Sequence, residues 1–300
     1  MEQMVKENQN VNVEQECQKP KKKIWKGILF SMLALLAAFA VQVIVGIPMT
    51  AIMMVQCMMQ AGGDANVTQQ LYAEATMGTE FMTNLLVVST AAYGIVVLLW
   101  YKLAYVKKYT AEKRAVFKET VCKGKVIGSL VIAAVGCYCL DILVASLVSI
   151  ISPEALEVFN SSMEAVLGGD ELMAFLVVVF LAPIAEEILF RGIIFNMLSK
   201  HWSELAAIIV STVLFGLYHA NLMQAIYVLP IGLLLGYTAY KCKSVLPCIV
   251  IHMINNFMPS VVAVLPEALQ VEWFFAIIVV VCAGLLYFLW KREKKVQTVA

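Results

Sequence analysis

Charge is what this chain has least of. Only 14% of its 300 residues are Asp, Glu, Lys or Arg, whereas soluble domains carry about a quarter. That scarcity excludes a soluble globular enzyme, a disordered tail protein and a secreted disulfide scaffold. Cysteine pairing motifs are missing as well. Cys17, Cys57, Cys122, Cys137, Cys139, Cys242, Cys248 and Cys282 make no C-x-x-C and no metal-like cluster. Most are set in apolar runs, and they read as small hydrophobic side chains. No internal repeat or low-complexity stretch is present, and no nucleic-acid partner is expected.

What the chain has is apolar length. Apolar residues make up 61% of it and the mean hydropathy is +0.83, so the fold class expected is an all-α polytopic membrane bundle. A spanning helix needs about 20 apolar residues. Apolar runs fall at about 27–59, 82–106, 126–151, 171–199, 204–220, 222–240, 245–265 and 271–290, which predicts eight spans. Gly46 and Pro48 interrupt the first. Ala38-Phe39-Ala40 resembles a signal cleavage site, but the apolar run continues through Val45, so a signal-anchor is expected there instead. The predicted organisation has four parts. Residues 1–23 form a disordered basic tail and 24–125 the first membrane helices with a basic loop. Residues 126–265 form a membrane core, and 266–300 the last helix and a basic tail.

Orientation follows from the basic residues, which favour cytoplasmic loops. Of the 22 Lys and Arg, all but Arg191 lie in the N-terminal tail, at the inner end of the second run, in the 107–125 loop, in two later turns or at the C-terminal end. The alternating loops at 60–81, 152–170, 220–222 and 259–271 have no Lys or Arg, and all but 220–222 carry Asp or Glu. Eight spans with both termini cytoplasmic fit this pattern.

Ionisable side chains within a span cost at least ~2.5 kcal/mol each, so they are functional candidates by default. Here they are Asp141, Glu186, Glu187, Arg191, His219 and His252, with Gln42, Asn196, Asn255 and Asn256 as uncharged additions. Glu187 and Arg191 are four residues apart, share a helical face and can pair. Glu186 points about 100° away around the helix and has no partner on its own helix, which suits a general base or acid. The alternative for all three is polar glue between helices. His252 and Asn256 also share a face. At 1.5 Å per residue, Glu186, His219, His252 and Asn256 lie about 21, 22, 14 and 20 Å from the inner boundary. Three helices thus bring four polar groups to overlapping depths, as a polar chamber requires. Asp141 is expected to pair with a hydroxyl or amide of another helix, and His201 to be solvated.

Two chemistries suit such a chamber. One Glu and two His can hold Zn²⁺ with a position left for water. Alternatively, Glu186 activates water directly and His and Asn donors stabilise the oxyanion. Both routes end in hydrolysis of a peptide bond. Signatures of other intramembrane proteases are absent: the chain has no H-E-x-x-H, G-x-G-D or G-x-S-G.

Glu186-Glu187-x-x-x-Arg191, Phe215-x-x-x-His219 and His252-x-x-x-Asn256, in that order, resemble the three motifs of the CAAX protease and bacteriocin-processing family. These are the CPBP or Abi intramembrane proteases, which include type II CAAX prenyl endopeptidases. The resemblance covers roughly residues 130–265. It implies an eight-helix bundle in which Glu186 activates water, His219 and His252 are metal ligands or oxyanion donors, Asn256 supports the oxyanion, and Glu187 and Arg191 orient the site. Glu186, His219 and His252 are then the implied zinc ligands. A metal-free glutamate mechanism stands beside that one. The implied substrate is a small peptide or a membrane-associated protein, met in the lipid bilayer. Compact loops and the lack of organelle signals point to a bacterial plasma membrane. Rival readings are a non-catalytic bacteriocin-immunity or scaffold protein and a proton- or metal-linked transporter.

Overall fold

A computed structural model describes residues 24–106 and 124–297. The expected disordered tail at 1–23, most of the basic 107–125 loop, Cys17 and Cys122 lie outside the described residues. Among the described residues there is no strand. The helices are α1 (Ile24–Gln60), α2 (Ala65–Met77), α3 (Thr79–Ala104), α4 (Gly124–Ile151), α5 (Pro153–Leu167), α6 (Glu171–Ser199), α7 (Glu204–Tyr218), α8 (Leu222–Tyr227), α9 (Leu229–Cys242), α10 (Leu246–Ala263) and α11 (Glu272–Gln297). Six of them, α1, α3, α4, α6, α10 and α11, are long and apolar enough to cross a membrane. The chain is a multi-pass membrane protein built as a helical bundle.

The helices start where short polar side chains can take up free backbone N–H groups. Asp64 accepts from the N–H groups of Asn66 and Val67 to begin α2, Asp170 from Met173 to begin α6, and Asn221 from Gln224 to begin α8. Pro153, Pro230 and Pro247 sit in the first turns of α5, α9 and α10, where the missing N–H costs nothing.

Three features depart from the sequence reading. First, α1 runs unbroken through Gly46 and Pro48 for 37 residues, about 55 Å, which is longer than a bilayer core is thick. Second, the loops at 60–81 and 152–170 contain the helices α2 and α5. The 18- to 20-residue length of a span makes an apolar-run search blind to such shorter, mixed segments. Third, the run at 222–240 is two helices, α8 and α9. They meet at Val228, two residues before Pro230, whose ring blocks a continuous helix.

The buried core draws on seven helices, with Ala134 as the contribution of α4. It gathers Ala34 and Ala38 of α1, Tyr93 and Val97 of α3, Phe190 and Ile194 of α6, Phe215 of α7, Leu235 of α9 and Ile251 of α10. Close approach depends on small residues. A Cβ on Gly232 would lie 2.7 Å from Thr212 Cγ2, so α9 rests directly on α7 there. A Cβ on Gly216 would lie 2.5 Å from the Ala225 carbonyl oxygen, so α8 folds tightly back on the end of α7. The turn that permits this passes through Ala220 at φ 52°, a left-handed conformation that is uncommon for a residue with a Cβ.

Candidate active site

The acidic pair sits on a helix that changes register twice. Within α6, Val177–Leu181 and Ile188–Ile194 are π-helical, and Ala182–Glu187 between them is α-helical. A π segment pairs each carbonyl with the N–H five residues on. Accordingly the Ala182 N–H donates to the Val177 oxygen. The next carbonyl, Val178, would need an N–H from Pro183, which has none. Asn256 of α10 supplies it: its Nδ2 donates to the Val178 oxygen at 2.9 Å. Where α6 returns to α-helix, Asn196 Nδ2 donates to the Gly192 and Arg191 oxygens at 2.8 and 3.1 Å. Both asparagines thus serve the altered backbone of α6.

Glu187 and Arg191 pair as their spacing predicts, with Arg191 Nη1 to Glu187 Oε1 at 2.9 Å and both side chains fully buried. Arg191 Nη2 also donates to the Gly232 oxygen at 3.0 Å. Its guanidinium carbon stands 4.6 Å from the centre of the Phe215 ring, a cation–π arrangement. The pair therefore ties α6 to α7 and α9, and its two charges cancel where no water can screen them.

His252 joins this pair to Glu186. Its Nδ1 lies 2.8 Å from Glu187 Oε1 and its Nε2 lies 3.8 Å from Glu186 Oε2. A carboxylate paired with an arginine only accepts, so Nδ1 is assigned the hydrogen and Nε2 is presented to Glu186. Glu186, without a partner on its own helix, thus faces His252 of α10. Its side chain is 14% exposed, while that of Glu187 is fully buried. Of the two neighbouring carboxylates, one is locked and the other is reachable.

His219 closes the far side. Its Nδ1 lies 2.9 Å from the Phe215 oxygen. That carbonyl only accepts, so Nδ1 is assigned as the donor and Nε2 is left with its lone pair. Phe215 sits between the two histidines, edge-on to each, with ring centres 5.0 Å from His219 and 5.6 Å from His252. The phenylalanine four residues before His219 therefore spaces the imidazoles and carries the guanidinium.

The structure brings all six expected site residues to one region. The implied zinc set is a different matter. Among the described residues, no three His, Cys, Asp or Glu side chains are grouped so as to hold a metal ion, and Glu186, His219 and His252 do not form such a group.

Several polar groups near the site had little sequence signal. Tyr218 accepts a hydrogen bond from Gln42 Nε2 of α1 at 2.7 Å, and Tyr93 of α3 packs beside it with ring centres 6.3 Å apart. Tyr218 adjoins His219 in sequence, which was a usable hint; Tyr93 stands in an apolar run without one. Elsewhere, Asp141 is buried beside the Asn255 side chain and the Ile231 backbone, but neither carboxyl oxygen meets a partner at hydrogen-bonding geometry. His201 is half-buried, with its Cβ against Gly27. The six described cysteines are all free.

No curated protein and no solved structure matches the chain. Residues 168–258, the stretch from just before α6 into α10 that carries the six motif residues, match the family model described as type II CAAX prenyl endopeptidase Rce1-like, a match consistent with the CAAX protease family that its motifs resemble.

Proposed function

We propose that the protein is an intramembrane endopeptidase in which Glu186 is the general base, acting on a small peptide or a membrane-associated protein. The observation that carries this reading is the contrast between the two glutamates. Glu187 is sealed in a neutral pair with Arg191, whereas Glu186 is partly exposed and faces the unpaired edge of His252.

The reaction runs with the chain's own groups. Glu186 takes a proton from water as the water oxygen attacks the scissile carbonyl carbon. The carbonyl π pair moves to oxygen and forms a tetrahedral oxyanion. When the oxyanion collapses, the C–N bond breaks and the leaving nitrogen takes the proton from Glu186. Glu187 and Arg191 hold His252 in place, and His252 faces Glu186 across the chamber. His219 adds a second imidazole edge to the chamber. Asn256 secures the backbone on which Glu186 rides. A bound zinc would polarise the water and carbonyl, but the described side chains do not converge on one, so no step is routed through it. The distribution of Lys and Arg supports a cytoplasmic placement of both termini, in a bacterial plasma membrane.

The test uses purified protein in detergent and a panel of internally quenched peptides with apolar tails. Glu186→Gln should lower turnover by roughly 10²–10⁴-fold and leave thermal unfolding unchanged. Elemental analysis of the same samples reads zinc directly. One zinc per wild-type chain, lost in a Glu186→Ala/His219→Ala/His252→Ala variant, would replace the metal-free scheme. Full activity of folded Glu186→Gln would overturn the assignment of Glu186.

A further inference from the structure

An oxyanion needs hydrogen-bond donors, and the motif residues have few to spare. His219 and His252 each present Nε2 to the chamber, while their Nδ1 atoms are held by Phe215 and Glu187. In the neutral imidazole that exposed nitrogen accepts rather than donates. Asn256 spends one of its two Nδ2 hydrogens on the Val178 oxygen. Arg191 Nε has no partner but is sealed in the core, so a further reachable donor would lie outside the motifs.

Tyr218 has one. Its hydroxyl oxygen accepts from Gln42 at 2.7 Å, an arrangement that points the phenolic hydrogen away from Gln42. The ring stands edge-on to Phe190 at 5.5 Å and to His219 at 6.2 Å. Tyr218 is half-buried, so a substrate can reach it, and Glu186 lies within electrostatic reach. Beside it the Tyr93 hydroxyl is buried, with the residue 3% exposed, and interacts with the Tyr218 hydroxyl and with Glu186.

We propose that Tyr218 is a catalytic residue of this site, its O–H donating to the carbonyl oxygen of the scissile bond as that oxygen becomes negative, with Gln42 as the positioning residue that aims it. The role rests on the protease reading above. Tyr218 keeps its proton throughout; it donates a hydrogen bond and no bond to it breaks. Gln42 acts from α1, far outside the matched stretch 168–258, so the first helix has a part in the chemistry as well as in the bundle.

The experiment compares wild type, Tyr218→Phe, Gln42→Leu, the double variant and Glu186→Gln on the same quenched-peptide panel, with thermal unfolding recorded for each. Tyr218→Phe should lower kcat by about 10²–10³-fold, the effect of deleting one oxyanion donor, with KM and unfolding temperature held. Gln42→Leu keeps the hydroxyl but frees it, so it should lower kcat less. The double variant should be no worse than Tyr218→Phe, because the two act as a unit. A merely structural bond between α1 and α7 would instead lower the unfolding temperature and leave kcat of the folded protein intact. Tyr218→Phe within threefold of wild type, with Glu186→Gln inactive, overturns the tyrosine's role alone. Additive losses in the double variant overturn the positioning role of Gln42. If wild type and Glu186→Gln are equally silent on every peptide, the protease reading falls and this proposal falls with it.

Discussion

Helices α6 and α11 have the same hydropathy, 2.3 in the most apolar part of each, and occupy opposite environments. In α6, 44% of that stretch is buried inside the bundle; in α11 it is 11%. One helix carries the acidic pair, two register shifts and the motif arginine. The other presents Val280 and Val281 to the outside at 71% and 52% exposure. Mean hydropathy records whether a segment prefers lipid to water. It does not record whether its neighbours are lipid tails or other helices, since the two are equally apolar. What separates the helices is the few polar groups that lipid would reject. A helix carrying Glu186, Glu187 and Arg191 has to sit where other helices can satisfy them.

This contrast can be broken most sharply at Glu186. Glu186→Gln should cost roughly 10²–10⁴-fold in peptide turnover, while Val280→Ser on α11 should change it less than about twofold, as expected for surface positions. A comparable loss from both would mean that the site does not lie on α6. The next effect is on stability. Glu187→Ala strands Arg191 in the core, and removing one partner of a buried pair costs about 3–5 kcal/mol. Thermal unfolding in detergent should show a large drop, against a shift near zero for Val281→Ala. An unchanged unfolding temperature would remove the locked pair from the account.

Asn256→Leu probes the register shift itself. It leaves the Val178 carbonyl without its donor, at a cost of about 1–3 kcal/mol. Asn256→Leu should therefore lower both the unfolding temperature and turnover, and a loss of turnover alone would assign Asn256 to the oxyanion. The smallest expected effect belongs to α11. A Cβ at Gly136 of α4 would stand 2.8 Å from Cys282 Cβ, so Gly136→Ala pushes α11 outward at about 1 kcal/mol, the low end for overpacking. Because α11 holds no site residue, the peptide activity of the folded variant should match wild type; a loss of turnover there would couple the outer helix to the chemistry.

Legibility in the sequence followed the range of the interaction. The Glu187–Arg191 pair was readable because four residues along one helix is a local geometry. The shared face of His252 and Asn256 was readable for the same reason, and both do point at α6. The group facing Glu186 was not readable, because His252 is separated from it by α7, α8 and α9. The oxyanion role implied for Asn256 came from its motif position, and the bond to Val178 was hidden because it depends on a π register and on the missing N–H of Pro183. Gln42 stood out only as a polar residue in an apolar run; its bond to Tyr218 spans 176 residues. The short helices α2 and α5 escaped notice because hydropathy over a span-length stretch averages them away.

By itself, the sequence determined that this chain lives in a membrane, through the cost of exposing 61% apolar residues to water. It also determined which side chains that membrane would make expensive, and which of them share a helical face. Tertiary structure alone decided which glutamate is sealed and which is reachable, what the histidines spend their nitrogens on, and that α1 reaches the site through Gln42. Those outcomes depend on how each helix is rotated about its axis. In a uniformly apolar surrounding that rotation is set by close packing at glycines and by a handful of hydrogen bonds between helices.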